Sequence, residues 1–171
     1  TSVVTRLDWG EAPNGDAVNR DISARIMASV ELMTLSTIIS IVIGVGLGVY
    51  TAQRQYQTAD RAWSGIASVF MVIPTVVLAI LIVFFAIEIN TASGTRIFYV
   101  TGLSSYTGNN VLLSFVDFLQ HILLPTVVLT IITSVGYHLR QRTYLLDEMH
   151  TDYVRTARAK GLTRRQAIRK H

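Results

Sequence analysis

The sequence predicts an all-α integral membrane protein, a polytopic bundle of transmembrane helices. Three observations predict it: three long uncharged stretches, a charged fraction of only 15%, and an uneven distribution of Lys and Arg between the segments that separate those stretches. Soluble domains carry about 25% charged residues. The charges missing here are missing from 32–52, 62–87 and 118–139 rather than evenly. Leu32 to Tyr50 gives 19 uncharged residues, Ala62 to Ile87 gives 26, and Phe118 to Leu139 gives 22 with both histidines neutral. A helix needs about 20 apolar residues to cross the hydrocarbon core. A backbone in lipid must also satisfy its own hydrogen bonds, so helices are the natural spanning elements. A soluble helical core would instead show a polar face on each helix.

The elements follow in order. Residues 1–31 form a lead-in carrying Arg6, Asp8, Glu11, Asp16, Arg20, Asp21 and Arg25, too polar for the core of a signal peptide. A short loop joins the first two spans, a longer loop covers 88–117, and 140–171 is a basic tail. The tail holds nine Lys and Arg and the short loop two, Arg54 and Arg61. The lead-in holds three and the long loop one, Arg96. The positive-inside rule therefore places the short loop and the tail in the cytoplasm, and the lead-in and the 88–117 loop outside. An outside start implies an earlier span. Together with a first residue that is Thr and a last residue, His171, inside a helical pattern, it predicts that the chain is a fragment of a longer protein. No cysteine is present, which excludes disulfides, thiolate metal sites and thiol catalysis.

Within the first span Gly44 and Gly48 form a GxxxG spacing that allows helix backbones to approach closely. A nucleotide-binding glycine loop does not fit, because no strand precedes Gly44-Val-Gly-Leu-Gly48. Pro74, in the middle of the second span, removes a helix hydrogen bond and predicts a kink that can line a pathway or simply be tolerated in a bundle. Pro125 is placed in the first turn of the third span. Glu31 and Glu88 flank spans, where interface anchoring accounts for them better than proton relay. His121 and His138 lie about 25 Å apart along one helix, too far to share a metal. No Ser/His/Asp set, carboxylate pair or metal-ligand cluster converges in the spans, so no metal site and no catalytic residue is assigned. In the outer loop two turn-rich runs bracket Ile97-Phe-Tyr-Val-Thr101, which reads as a small strand or hairpin, a cap over an outer mouth, or an ordinary loop.

The tail carries the most information. Leu146, Met149, Tyr153 and Ala157 recur at helical spacing, with charges on the other faces. Gly161 stops that helix as a left-handed residue does just past a C-terminus. Arg158 and Lys160 suit its negative end. Thr163 followed by Gln166 opens a second helix with a capping box. The product is a helix–Gly–helix elbow, whose small apolar residues Tyr153, Ala157 and Leu162 suit a shallow groove on a partner. A basic juxtamembrane helix held by anionic lipid accounts for the charge but not for this grammar. Nucleic acid is not a predicted partner: membrane orientation already requires the basic residues, and no aromatic stacking platform accompanies them.

Asp152-Tyr-Val-Arg-Thr-Ala-Arg-Ala-Lys-Gly-Leu162 resembles the EAA loop of permease subunits of binding-protein-dependent ABC importers, in the version of the dipeptide and oligopeptide branch. Thr156 and Ala157 take the pattern's small positions and Gly161 its obligate glycine. Arg155 stands where the general pattern has Glu, a departure typical of the peptide branch. Leu7-Asp-Trp-Gly10 with Val18, Ile22 and Arg25 resembles the segment before the second span of these permeases, and His121-Ile-Leu-Leu-Pro125 the start of their fourth. The resemblance implies three of six spans in a permease of the bacterial inner membrane that hydrolyses nothing itself. It implies an ATPase-coupling role for Asp152, Tyr153, Arg155, Thr156, Ala157, Gly161 and Leu162. The implied partners are a second homologous permease subunit, two ABC ATPase subunits, an extracytoplasmic peptide-binding protein and the lipid bilayer. No cofactor is expected on this chain; ATP and Mg²⁺ are expected on the ATPases. The substrate-binding residues and the transported solute (peptide, nickel, glutathione or another) stay open at this stage. Two alternatives also stay open: a secondary transporter or channel, and a membrane-tethered module whose tail recruits another partner.

Overall fold

The computed structural model describes residues 18–102, 105, 106, 108–149, 151–161 and 166. Its elements are α1 (Val18–Gln53), α2 (Thr58–Val72), α3 (Thr75–Ser93), α4 (Val111–Glu148) and α5 (Asp152–Ala159). No strand occurs among the described residues. Among the described residues three helical segments, Arg25–Gln53, Thr75–Ser93 and Val111–Glu148, are long and apolar enough to cross a membrane. The Leu7–Gly10 motif, Leu162 and Thr163 lie outside the described residues, as do the side chains of Tyr153 and Arg158.

The most extensive contact joins α1 to α4. Ser36, Ser40, Gly44, Gly48 and Ala52 succeed one another at four-residue steps along α1, and all are buried. Ser40 meets the carbonyl of Thr130, Gly44 meets Ser134 and Tyr137, and Gly48 meets His138 and Gln141. Contacts thus advance along both helices together, so α1 and α4 run parallel, and α2 and α3 form the return leg between them. A Cβ on Gly44 would lie 2.6 Å from both the Ser134 carbonyl oxygen and the Tyr137 Cβ. A Cβ on Gly48 would lie 2.7 Å from the Gln141 Cβ. No side chain fits at either place, which is why glycine occupies both.

The packing inverts that of a soluble domain. Small or polar residues such as Ser40, Thr51 and Ala52, each 0% exposed, fill the seam. Ile38, Val42, Met71, Val72, Val76, Ile80, Phe84 and Phe85 point outward. In water such outward apolar faces would be a liability. In lipid, where apolar contact drives no association, close backbone approach and interhelical hydrogen bonds hold helices together.

The helix boundaries differ from the sequence expectation in four places. The span expected over 62–87 is two helices, not one kinked helix. Ile73 (φ −72, ψ 122) and Pro74 (φ −59, ψ 136) are both extended, because a proline pushes the preceding residue out of the α region and cannot donate to the turn before it. The helix expected over 118–139 runs from Val111 to Glu148, about 57 Å at 1.5 Å per residue. Uncharged residues marked the lipid-crossing part and not the helix ends. Pro125 is therefore not in a first turn but inside the helix, since the true start is capped by Asn110, whose Oδ1 accepts from the backbone N–H groups of Leu112 and Leu113. Finally, the tail is not one helix up to Gly161. It breaks after Glu148, where the Thr151 hydroxyl and N–H both donate to the Glu148 carbonyl, and resumes as α5 at Asp152.

The described residues between α3 and α4 are irregular, and Ile97–Thr101 forms neither strand nor hairpin. Gly94 ends α3 in the left-handed region (φ 65). Asn90 then pins the run: its Oδ1 accepts from the N–H groups of Ile97 and Phe98 at 2.9 Å, and its Nδ2 donates to the Phe98 carbonyl at 2.7 Å.

Candidate functional site

The described part of the basic tail carries the first half of the expected elbow, α5 and Gly161, while the second helix lies outside the described residues apart from Gln166. Within α5 the Thr156 hydroxyl donates to the Asp152 carbonyl, and the Lys160 N–H to that of Thr156. Gly161 then turns the chain with φ +87. Nothing lies within 4 Å of a Cβ built there, so backbone conformation rather than space favours glycine. Asp152, Arg155 and Thr156 are exposed, and Asp152 and Arg155 form a 3.6 Å surface ion pair. Ala157 is buried, 6% exposed, and clusters with Val154.

Ten residues before α5, Arg142 reaches across to the start of α2. Its Nε donates to Asp60 Oδ1 at 2.6 Å and its Nη2 to Oδ2 at 2.8 Å. Asp60 also accepts from the Tyr56 N–H and the Ser64 hydroxyl. Tyr56 adopts φ 65 to aim that N–H. The carboxylate thus closes the start of α2 from within its first turn, much as a capping box does, while Gln57 at the N-cap makes no side-chain bond. Asp60 is 2% exposed. The Arg142 fork holds its carboxyl at about 2, below the ordinary 3.8, against the opposing effect of burial. Sequence reading missed this pair, because residues 82 positions apart carry no local signal; the one hint was an acidic residue in the otherwise basic loop between spans.

Just inside the pair, Thr51 Oγ1 and His138 Nε2 lie 3.2 Å apart across the α1–α4 seam. Beside His138 a cavity of about 240 Å³ opens among Leu47, Trp63, Phe70 and Ser134. Nearby the Arg54 guanidinium sits 4.1 Å above the Tyr50 ring.

The opposite end of the bundle has its own polar node. His121 Nδ1 donates to the Asp117 carbonyl oxygen at 2.7 Å, and its Nε2 lies 3.0 Å from the Ser105 hydroxyl. Asp117 Oδ2 accepts from the Ser105 and Tyr106 N–H groups. Tyr99 stacks on the His121 ring with centroids 4.3 Å apart. Serine, histidine and aspartate meet here although the spans alone offered no such set. One carboxylate oxygen faces backbone amides and the other lies 3.6 Å from His121 Nδ1, which also faces a main-chain carbonyl, an arrangement that fastens the loop to α4. Next to it a broad cleft of about 650 Å³ lies between Glu31 of α1 and Asn109, Asn110, Phe115 and Phe118.

A family model described as "Binding-protein-dependent transport system inner membrane component" matches residues 44–171. The oligopeptide transport system permease protein OppB of Mycobacterium tuberculosis is 36% identical over 171 residues, 99% of this chain and 53% of that protein. AppB, an oligopeptide transport system permease protein of Bacillus subtilis, is 28% identical over 157 residues, 92% of this chain and 47% of its own. The corresponding OppB of Salmonella typhimurium is 28% identical over 155 residues, 90% and 45% of the two chains. The chain spans about half the length of the curated relatives it matches. An inner-membrane family and three helices able to cross a bilayer make this a multi-pass protein of the cytoplasmic membrane. The chain belongs to the family of binding-protein-dependent transport system inner membrane components.

Proposed function

We propose that this chain is part of the membrane subunit of an ATP-driven ABC importer for peptides, and that it drives no chemistry of its own. The observation that carries the reading is a short helix, Asp152–Ala159, closed by Gly161 at φ +87, that follows a helix of 38 residues, about 57 Å long and so longer than the ~30 Å hydrocarbon core. The relatives named as oligopeptide permeases support the substrate class. In this reading two homologous permease subunits enclose the pathway. Two cytoplasmic ATPases, which hold ATP and Mg²⁺, each receive an elbow, with Arg155 and Thr156 on the docking face and Gly161 setting its angle. Asp152, Tyr153, Ala157 and Leu162 complete the coupling segment, Ala157 from inside it. An extracytoplasmic binding protein delivers the peptide to the side where the cleft beside Glu31 opens.

The test is a pull-down of the full-length protein from membranes, wild type against Thr156→Arg. Thr156 is chosen because it is exposed, whereas a charge at the buried Ala157 would disturb α5 itself. An ABC ATPase is expected to co-purify with wild type and to be lost with the variant at equal membrane abundance. Absence of an ATPase from both would overturn the reading in favour of a transporter that works alone.

A further inference from the structure

We propose that Asp60 and Arg142 are positioning residues that lock α2 to the cytoplasmic end of α4, so that α2 moves with that end of α4 and bending of the return leg is confined to Ile73–Pro74. The inference rests on the coupling role of α5 and extends it to how motion leaves the elbow.

The geometry connects the parts in series. Arg142 lies six residues before the end of α4, about 9 Å along the axis. Its guanidinium grips Asp60 with both oxygens engaged, and the carboxylate is held in addition by Tyr56 and Ser64. The two side chains are 23% and 3% exposed. Removing such charges from water is expensive, and an apolar pair of similar volume often serves stability as well. What an apolar pair lacks is direction: a planar fork on a carboxylate fixes angle as well as distance. α2 also touches α4 more than it touches α1. Beyond Val72 the two extended residues interrupt the helical ladder before α3 begins. A displacement that passes the break after Glu148 and reaches the end of α4 is thus carried to α2 through a stiff joint and meets its next compliant point at Ile73–Pro74.

The experiment uses the complete permease reconstituted with its ATPases and binding protein. Asp60→Asn and Arg142→Lys are compared with wild type for ATPase co-purification and for peptide transported per ATP hydrolysed. Arg142→Lys keeps the charge and loses the fork. Both variants are expected to retain the ATPases while transport per ATP falls by roughly two- to thirtyfold, the range by which residues along a coupling route alter it. An unchanged ratio in assembled variants overturns the proposal and leaves the coupling reading intact, whereas failure of wild type to hold an ATPase overturns that reading instead. A second measurement leaves the pair untouched, in case the variants do not assemble. Spin labels go on the exposed positions Arg61 and Thr143, beside the pair, and on Val76 and Thr143, across the break. ATP trapping is expected to leave the first distance unchanged and to alter the second. A change in the first of about one helical turn, ~5 Å, overturns the proposal, as does a second distance that stays fixed.

Discussion

Gly48 and Asp60 show how differently single residues speak. The GxxxG spacing was readable, and it lies in the seam where α1 and α4 approach closely. Gly48→Leu would set a Cβ 2.7 Å from Gln141 Cβ and 2.9 Å from the His138 carbonyl oxygen. Such overpacking costs about 1–3 kcal/mol. A lower thermal midpoint in detergent is expected, with Gly46→Leu as control because nothing lies within 4 Å of its Cβ. Asp60 leads to a prediction in pH. Its folded value of about 2 lies below the ordinary 3.8, so its contribution is fully present above pH ~4 and is lost as pH falls through ~2. The gap corresponds to about 2 kcal/mol. Thermal midpoints recorded from pH 7 to pH 2 are expected to fall below pH 4 in wild type, and Asp60→Asn is expected to lack that part of the fall. The glycines were legible because a seam leaves a periodic trace along one helix. Asp60 was not, because its partner sits on another helix and only folding brings them together.

At the scale of elements, what the sequence marked was solvation rather than helix length. Charges ended the uncharged stretches near the edges of the lipid, while hydrogen bonding carried α4 outward at both ends, to the Asn110 cap and to Glu148. The second span was one stretch to a hydropathy reading and is two helices in space, since hydropathy does not register a missing N–H. That break also has a consequence for transport. Pro74→Ala supplies an amide, frees Ile73 to become helical and lets α2 run into α3 without interruption. If the return leg bends there during the cycle, a stiffened leg slows it. Uptake by the complete transporter is expected to fall by about threefold or more at unchanged membrane abundance. Wild-type uptake would mean that the break serves only local fit.

For the whole molecule, the parallel course of α1 and α4 constrains topology independently of charge. If both cross the bilayer in the same sense, the α2–α3 leg crosses in the other, and Thr95 and Thr143 must lie on opposite sides. Charge predicts which side is which: there are nine Lys and Arg after residue 139 against a single one in the 88–117 loop, and the positive-inside rule expects the basic side in the cytoplasm. Both threonines are exposed, and the 171 residues contain no cysteine to interfere. In a cysteine-free background of the full-length protein, Thr95→Cys should react with a membrane-impermeant maleimide on intact spheroplasts. Thr143→Cys should react only after permeabilisation. The reverse pattern would put the elbow outside, where no ATPase could reach it, and the coupling proposal would fall with the orientation. Labelling of both from one side would contradict the three-crossing path itself. The expected pattern leaves α5 and the Asp60–Arg142 joint on the ATP side of the membrane and the Glu31 cleft on the side that meets a delivered solute.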